Sequence, residues 1–168
     1  FDFLEMELRK RDPDNPYFKK TGAPVREDVV KVTLPFWMGS LDKIYPDTRE
    51  FDNWFGKNKG PYFITQKLDG ASGLICYSET GDTKIYTRGD GRVGQDISFL
   101  KDYLKIPKIK TDLCVRGEFI MKRDNFQKYK HRYPKARTVV SSVINSKKPE
   151  REIIEDIDFV VYELVEEE

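Results

Sequence analysis

Apolar residues recur at helical spacing at the start of the chain, where Phe1, Leu4 and Leu8 share one face. Residues at positions i, i+3 and i+7 lie on the same side of an α-helix. Charged residues occupy most of the positions between them. The pattern predicts a short amphipathic helix that ends near Asp12-Pro13, because a proline disfavours the helical backbone conformation of the residue before it.

A second helical pattern is carried by Phe51, Trp54 and Phe55. Thr48 precedes this stripe as a candidate N-cap, and Gly56 follows it as a stop signal. We expect these aromatic side chains to belong to the core rather than to a ligand platform.

From Pro61 onward the chain consists mainly of runs rich in β-branched and aromatic residues, which are typical of strands. These runs are Tyr62 to Leu68, Gly73 to Tyr77, Lys84 to Arg88, Leu113 to Met121 and Ile157 to Val165. The polar residues 78–82 predict a hairpin between the second and third runs. Short helices are predicted over residues 123–129 and 138–144. The combination predicts an α+β fold with an antiparallel sheet.

Composition narrows the classes of protein and site that fit. The chain has 168 residues, of which 38% are hydrophobic, enough for one core and a fragment of another domain. It has no apolar run that could span a membrane and no evident signal peptide, so a cytoplasmic or nuclear setting is expected, with no membrane partner and no secretion.

Cys76 and Cys114 lie in apolar runs and are interpreted as reduced core residues. His131 is the only histidine, which disfavours histidine metal sites and Ser-His-Asp triads.

The charge distribution is uneven although the net charge is only +1. Residues 122–137 carry seven Lys and Arg side chains against Asp124 alone, with aromatic residues between them. Such a segment suits nucleic-acid phosphates and bases, but it also suits an ordinary solvated face. Both interpretations stay open at this point.

The segment from Lys67 to Gly70 carries the clearest candidate chemistry, since it places a lysine two residues before Asp69. A lysine amine becomes a nucleophile only where its surroundings activate it. On these four residues alone, a surface lysine that enters an Asp-Gly turn is the favoured interpretation. The wider sequence decides between them.

Glycines 89, 91 and 94 match the G-x-G-x-x-G pattern, but no βαβ unit surrounds them, so we reject a dinucleotide-binding Rossmann site. Instead, Arg88 ends a strand next to the predicted lysine strand, where it could neutralise phosphate charge. Glu118, within a later strand, is expected to face the same sheet surface.

Five motifs together resemble those of the NAD-dependent DNA ligases in order and approximate spacing. They are Met38 to Lys43, Lys67 to Gly70, Thr87 to Gly91, Val115 to Glu118 and Phe159 to Tyr162. The resemblance implies an ATP-grasp-like, antiparallel-sheet nucleotidyltransferase domain that needs NAD and Mg²⁺. It also implies that Lys67 takes AMP from NAD, that AMP passes to the 5′-phosphate of nicked duplex DNA, and that the nick is then sealed in repair or replication.

The same resemblance assigns roles to single residues. It implies Lys67 and Asp69 as catalytic residues and places Ser40 and Leu41 at the adenine nucleoside. It also implies nucleotide or phosphate contacts by Thr65, Arg88, Glu118, Arg137 and Tyr162. Of these, Glu118 would contact the ribose and is also the candidate metal ligand. Phe1-Asp2 and the helix after it resemble the end of a nicotinamide-binding domain, which favours NAD over ATP.

Departures from the family pattern shape further expectations. Thr65 stands where the bacterial enzymes carry Glu, Asn145 stands where a second arginine is expected, and the block from Glu118 to Arg137 is short, which favours a viral or phage-like ligase. The later phosphate-binding lysine strands have no counterpart after Tyr162. We therefore expect residues 1–20 to be a remnant of the nicotinamide domain and residues 21–168 an adenylation domain that lacks its C-terminal motifs. Such a chain would need further ligase segments or a partner subunit to seal nicks.

Two alternatives remain open from the sequence. The first is an ATP-dependent DNA or RNA ligase or an mRNA capping enzyme, which share the lysine motif. The second is a non-catalytic nucleic-acid-binding module in which residues 122–137 form the working surface. The first alternative predicts ATP or GTP rather than NAD as the nucleotide donor. The second predicts duplex binding that is unchanged when Lys67 is replaced by alanine.

Overall fold

A four-stranded antiparallel sheet forms the centre of the protein, seen in a computed structural model that describes residues 2–19, 30–146 and 148–165. Its strands lie in the order β3-β2-β5-β6. They are β2 (Ala71–Tyr77), β3 (Thr83–Thr87), β5 (Leu113–Met121) and β6 (Ile157–Val165). A two-stranded antiparallel sheet pairs β1 (Lys31–Thr33) with β4 (Val93–Gln95). The predicted α+β class with antiparallel sheets is confirmed.

Five α-helices accompany the sheets in the described part of the chain. They are α1 (Asp2–Arg11), α2 (Arg49–Lys57), α3 (Arg123–Phe126), α4 (Ala136–Ile144) and α5 (Arg151–Glu155). The predicted capping of α2 is present, since the Thr48 hydroxyl accepts a hydrogen bond from the Phe51 N–H at 3.2 Å. Phe1 and residues 20–29 lie outside the described residues.

The main core lies on one face of the central sheet, under α4 and α5. Because side chains alternate along a strand, Ile75 and Phe119 point to this face. They pack with the apolar stripe of α4 and with Ile153 and Ile154 of α5. The stripe predicted from the sequence, Val139, Val140, Val143 and Ile144, is buried as expected.

The opposite face of the sheet carries a smaller apolar cluster and several polar side chains. Leu34 and Met38, from the segment after β1, are buried against Leu74 of β2. The next polar side chains on this face are Ser72 of β2 and Glu118 of β5, which lie opposite each other in register. The candidate site is on this face.

The predicted strand from Tyr62 to Leu68 is wrong. Residues 61–69 have no regular secondary structure, and Phe63 and Ile64 are 97% and 95% exposed. A run of β-forming residues becomes a strand only when a neighbour accepts and donates its backbone hydrogen bonds. In the described structure no strand lies beside this segment, and the neighbouring strand begins only at Ala71.

The expectation that the α2 aromatics are core is also wrong. Phe51, Trp54 and Phe55 are all exposed, and α2 contains no buried residue. Their ring partners are one another and Tyr62, whose ring centroid lies 5.5 Å from that of Trp54. The helical period was correct, but no element of the described chain covers its apolar face.

Cys76 and Cys114 are joined by a disulfide, which corrects the expectation of two reduced core residues. The two residues face each other directly in the β2-β5 register and are half-buried. The sequence separation of 38 residues gave no sign of this pairing, which depends on the strand register.

Among the described residues, no helix is long and apolar enough to span a bilayer.

Candidate nucleotide-binding site

Lys67 and Asp69 lie in the exposed segment that leads directly into β2. Asp69 Oδ1 is 3.2 Å from the Arg137 guanidinium, which projects from the first turn of α4. Two residues singled out from distant parts of the sequence are therefore in contact. Both side chains are well exposed, so a bound anion can compete for the guanidinium.

Gly70 holds the lysine segment against the polar face of the sheet. Its N–H donates a hydrogen bond of 3.2 Å to Glu118 Oε1. A Cβ at this position would overlap the carbonyl oxygen of Phe119, so only glycine allows the two backbones to approach this closely. The glycine of the motif is thus required by packing, and it fixes where the lysine segment leaves the sheet.

Glu118 is the centre of the hydrogen-bonding arrangement. Its second oxygen, Oε2, accepts a hydrogen bond of 2.9 Å from the Ser72 hydroxyl. Ser72 was not predicted, because a serine in a strand has no distinctive pattern and its importance appears only from its register with Glu118. The carboxylate is half-buried and oriented at both oxygens, as suits a group that binds a polar ligand.

Arg88 follows β3 beside this pair. Its backbone N–H donates to the Ser72 carbonyl at 3.2 Å, and its side chain is half-buried. The turn after it is closed by Asp90, whose side chain accepts hydrogen bonds from the N–H groups of Val93 and Arg92. These bonds lower the pKa of the exposed Asp90 carboxyl. The turn leads into β4 rather than into a helix, which agrees with the rejection of a Rossmann site.

Tyr162 lies at an irregularity in β6. Arg116 pairs with Glu163 and Gly117 with Val161, so Tyr162 is the extra residue of a bulge. Its side chain is 57% exposed. Partial burial raises the pKa of Tyr162, and the charges of Glu118 and Glu163 raise it further against the opposing effect of Arg88. The charges of Glu118 and Arg88 therefore both act on the Tyr162 hydroxyl.

Ser40, Leu41 and Thr65 are less closely tied to this group. All three are exposed, and among the described residues no hydrogen bond or ion pair links them to Glu118 or Arg88. Ser40 and Leu41 follow Met38, which is buried on the polar face of the sheet. The structure therefore brings together Asp69 with Arg137 and Glu118 with Arg88 and Tyr162, while Ser40, Leu41 and Thr65 lie on flanking segments.

The basic segment 122–137 is partly neutralised by acids from later in the chain. Three of its cations form ion pairs with residues of the acidic C-terminal region: Lys122 with Asp158, Lys128 with Asp156 and Arg132 with Glu150. Arg137 pairs with Asp69 as described above. The uneven charge seen in the sequence is thus largely compensated inside the fold.

Comparison with known proteins adds independent information. The family model described as the NAD-dependent DNA ligase adenylation domain matches residues 27–167. The DNA ligase of Acanthamoeba polyphaga mimivirus is 40% identical over 98% of this chain and 27% of its own length. The DNA ligase of Treponema pallidum is 31% identical over 88% of this chain and 19% of its own length. The DNA ligase of Borrelia turicatae is 30% identical over 98% of this chain and 28% of its own length.

This chain therefore spans between 19% and 28% of the length of these three relatives. The family match covers Glu118, Arg88 and Tyr162 as well as the Lys67 segment. Viral and bacterial DNA ligases both match along most of the chain. From the matched residues and the site they form, the chain belongs to the NAD-dependent DNA ligase adenylation-domain family.

Proposed function

We propose that Lys67 accepts adenylate from NAD. The deprotonated amine attacks the α-phosphorus of the AMP half, and a nitrogen–phosphorus bond forms as the bond from phosphorus to the bridging oxygen breaks. Nicotinamide mononucleotide leaves with that oxygen. The observation that carries the proposal is the bond from Gly70 to Glu118, which holds the exposed lysine segment beside an oriented carboxylate.

The neighbouring side chains fit the parts of an adenylate. Glu118 and Ser72 offer hydrogen bonds suited to ribose hydroxyls, and Arg88 offers positive charge for ribose or phosphate. Tyr162 supplies an exposed ring on which a base can stack. We assign Ser40, Leu41 and Thr65 to the outer contacts of the nucleoside. The detailed nucleotidyltransferase fold belongs to this proposal as well.

Magnesium would act here by neutralising phosphate charge. The described residues contain no group of three or more His, Cys, Asp or Glu side chains that could hold a metal by themselves. Mg²⁺ is commonly bound through one or two carboxylates together with substrate phosphates and water. Glu118 therefore fits as a single protein ligand to an ion that enters with the nucleotide.

We propose nicked duplex DNA as the acceptor of the adenylate, in repair or replication. A 5′-phosphate oxygen would attack the adenylyl phosphorus and release Lys67, and the 3′-hydroxyl would then displace AMP. The ion pair between Arg137 and Asp69 of the lysine segment supports a role for Arg137 in binding this phosphate. Sealing is expected to need further ligase segments, supplied in the same polypeptide or by a partner subunit. We propose a cytoplasmic or nuclear setting, with residues 1–20 as a piece of a nicotinamide-binding domain.

The experiment is a label transfer followed by a chase. The protein is incubated with Mg²⁺ and NAD labelled at the adenylate phosphate, and then nicked duplex DNA is added. We expect label on the wild type and on Lys59→Arg, which alters an exposed lysine earlier in the chain, but not on Lys67→Arg. Label should then move to the DNA. Equal labelling of Lys67→Arg, or labelling from ATP but not from NAD, would overturn the proposal.

A further inference from the structure

Arg116 lies two residues before Glu118 in β5 and on the same face of the sheet. Its side chain is only 20% exposed. One terminal nitrogen donates to Glu163 Oε1 at 2.8 Å, and the other donates to the backbone carbonyl of Trp37 at 2.6 Å. The remaining nitrogen, Nε, is buried and has no partner in the described structure. A guanidinium in this setting is held by two partners from separate segments.

The segment around Trp37 is held from a third side by the turn between β3 and β4. The Met38 N–H donates to the Gly91 carbonyl at 2.8 Å, and the Arg92 guanidinium lies 5.1 Å from the centre of the Trp37 ring. Gly91 has a positive φ of 99°, and a Cβ there would come within 2.8 Å of both the Met38 carbonyl and the Trp37 ring. Trp37 and Met38 are therefore packed between the turn and β5.

Each segment that meets at this point carries a residue of the proposed nucleotide site. The Trp37 segment continues to Ser40 and Leu41, and the turn begins at Arg88. Glu163 is the neighbour of Tyr162 in β6. The Arg116 guanidinium contacts the Trp37 segment and β6, and the turn packs against Trp37. Moving this guanidinium would therefore change the spacing of the residues proposed to contact adenosine.

We propose that Arg116 is a positioning residue for the nucleotide pocket: it ties the Trp37 segment to β6 and so sets the spacing between Ser40-Leu41 and Tyr162. This inference rests on the proposed function. Arg116 touches neither the lysine nor Glu118 through a hydrogen bond in the described structure, so its effect is on binding rather than on the chemical step. Lysine cannot replace it fully, since an ammonium lacks the planar fork that reaches two partners at fixed angles.

The test uses tryptophan fluorescence and nucleotide binding together. The chain has two tryptophans, so a Trp54→Phe background leaves Trp37 as the single reporter. In that background, Arg116→Met should shift Trp37 emission to longer wavelength and weaken AMP binding by about tenfold, because a charged hydrogen-bonding group is lost. The rate of adenylation at saturating NAD should change less than about threefold by the same argument.

Two further variants sharpen the comparison. Arg116→Lys should give an intermediate loss of AMP affinity, because it retains the charge but not both contacts. Arg132→Met removes another guanidinium that is paired to a glutamate, Glu150, away from the site, and should leave Trp37 emission and AMP affinity unchanged.

A folded Arg116→Met variant with unchanged Trp37 emission and unchanged AMP affinity would overturn the inference. So would a variant that binds AMP normally but transfers adenylate slowly at saturation. If Arg116→Met does not fold, Glu163→Gln tests the β6 contact, and AMP affinity equal to that of the wild type would again overturn it. A wild-type protein that neither binds AMP nor takes adenylate overturns the proposed function instead, and Trp37 emission in Arg116→Met still reports whether the contact exists.

Discussion

Glu118 accepts one hydrogen bond at each carboxylate oxygen, from the Gly70 N–H and from the Ser72 hydroxyl, and so joins the lysine segment to β2. Its position on a sheet face follows from the alternation in its strand, which the sequence displays. Its partners do not follow from the sequence, because Ser72 becomes its neighbour only through the pairing of β2 with β5. The lysine motif and the arginine after β3 could be predicted from the chain, while the hydrogen bonds that connect them required the register.

Replacing Glu118 with glutamine should slow adenylation of Lys67. The substitution removes the charge and replaces one acceptor oxygen with a donor, so Gly70 and Ser72 can no longer each donate to a separate oxygen of this side chain. A hydrogen bond to a charged group is worth about 1.5–3 kcal/mol, so a loss of at least about tenfold in rate is expected. Single-turnover labelling with NAD measures this.

Ser72→Ala is the matched control for that substitution. It removes one hydrogen-bond donor but keeps the Glu118 carboxylate, so its effect on the adenylation rate should be smaller than that of Glu118→Gln. Equal rates for the wild type and Glu118→Gln would contradict the assignment of the carboxylate to the nucleotide.

A long strand was predicted correctly from the sequence where its pairing partner lies within the described chain. The bounds of β5 and β6 were predicted correctly, since both are long runs with cross-strand neighbours on at least one side. The run from Tyr62 to Leu68 has the same composition but no neighbour, and it is not a strand. The short β1 and β4 were not predicted, because three residues are too few to display alternation.

The contrast between buried and exposed isoleucines predicts a stability difference. Ile75 of β2 is fully buried in the main core, whereas Ile64 is 95% exposed. Ile75→Ala should lower the free energy of unfolding by about 2–5 kcal/mol, since it leaves a cavity. Ile64→Ala should change it by less than about 0.5 kcal/mol. Urea unfolding of both variants checks this, and similar losses for the two would contradict the described packing.

The contact between the turn that follows α3 and Asp156, which lies between α5 and β6, predicts a pH-dependent contribution to stability. Asp156 accepts hydrogen bonds from the Tyr129 hydroxyl at 2.7 Å and from the Lys128 ammonium. Burial by itself raises the pKa of Asp156, but the bonds from Lys128 and Tyr129 outweigh it and hold the pKa below its ordinary value. A lowered folded-state pKa stabilises the protein above the unfolded value of roughly 3.9, and this gain is lost as the pH falls through the folded value.

Asp156→Asn should therefore cost about 1–3 kcal/mol of unfolding free energy at neutral pH, as expected for a charged hydrogen-bonded group. The difference from the wild type should shrink as the pH falls below roughly 4. The control is Asp124→Asn, which changes an exposed acid of α3 and should have little effect on stability at either pH. A cost for Asp156→Asn that is constant from neutral to acidic pH would contradict this account.

For the whole molecule, the fold brings opposite charges of distant segments together. Four of the seven cations of residues 122–137 are paired with acids: Lys122, Lys128, Arg132 and Arg137. This leaves Arg123, Lys130 and Lys135 in that segment without an ion pair in the described structure. The charge asymmetry is visible in the sequence, but its compensation is not, because it arises when the acidic C-terminal region folds onto this surface.

Binding of this segment to duplex DNA should accordingly show a modest salt dependence. Each neutralised phosphate contributes about 0.9 to the slope of log affinity against log salt, so the three unpaired cations together with the exposed Arg137 predict a slope near −4 at most. The triple variant R123A/K130A/K135A should flatten the slope, and Lys67→Ala should leave it unchanged. Fluorescence anisotropy at several salt concentrations measures it. A slope near −6 would mean that the paired cations also contact DNA.

The most direct test of the central claim is the mass of the protein before and after incubation with NAD and Mg²⁺, followed by peptide mapping. We expect a gain of one AMP, located on Lys67, and no gain for Lys67→Ala or with ATP in place of NAD. A gain on another lysine, or an equal gain for Lys67→Ala, would contradict it.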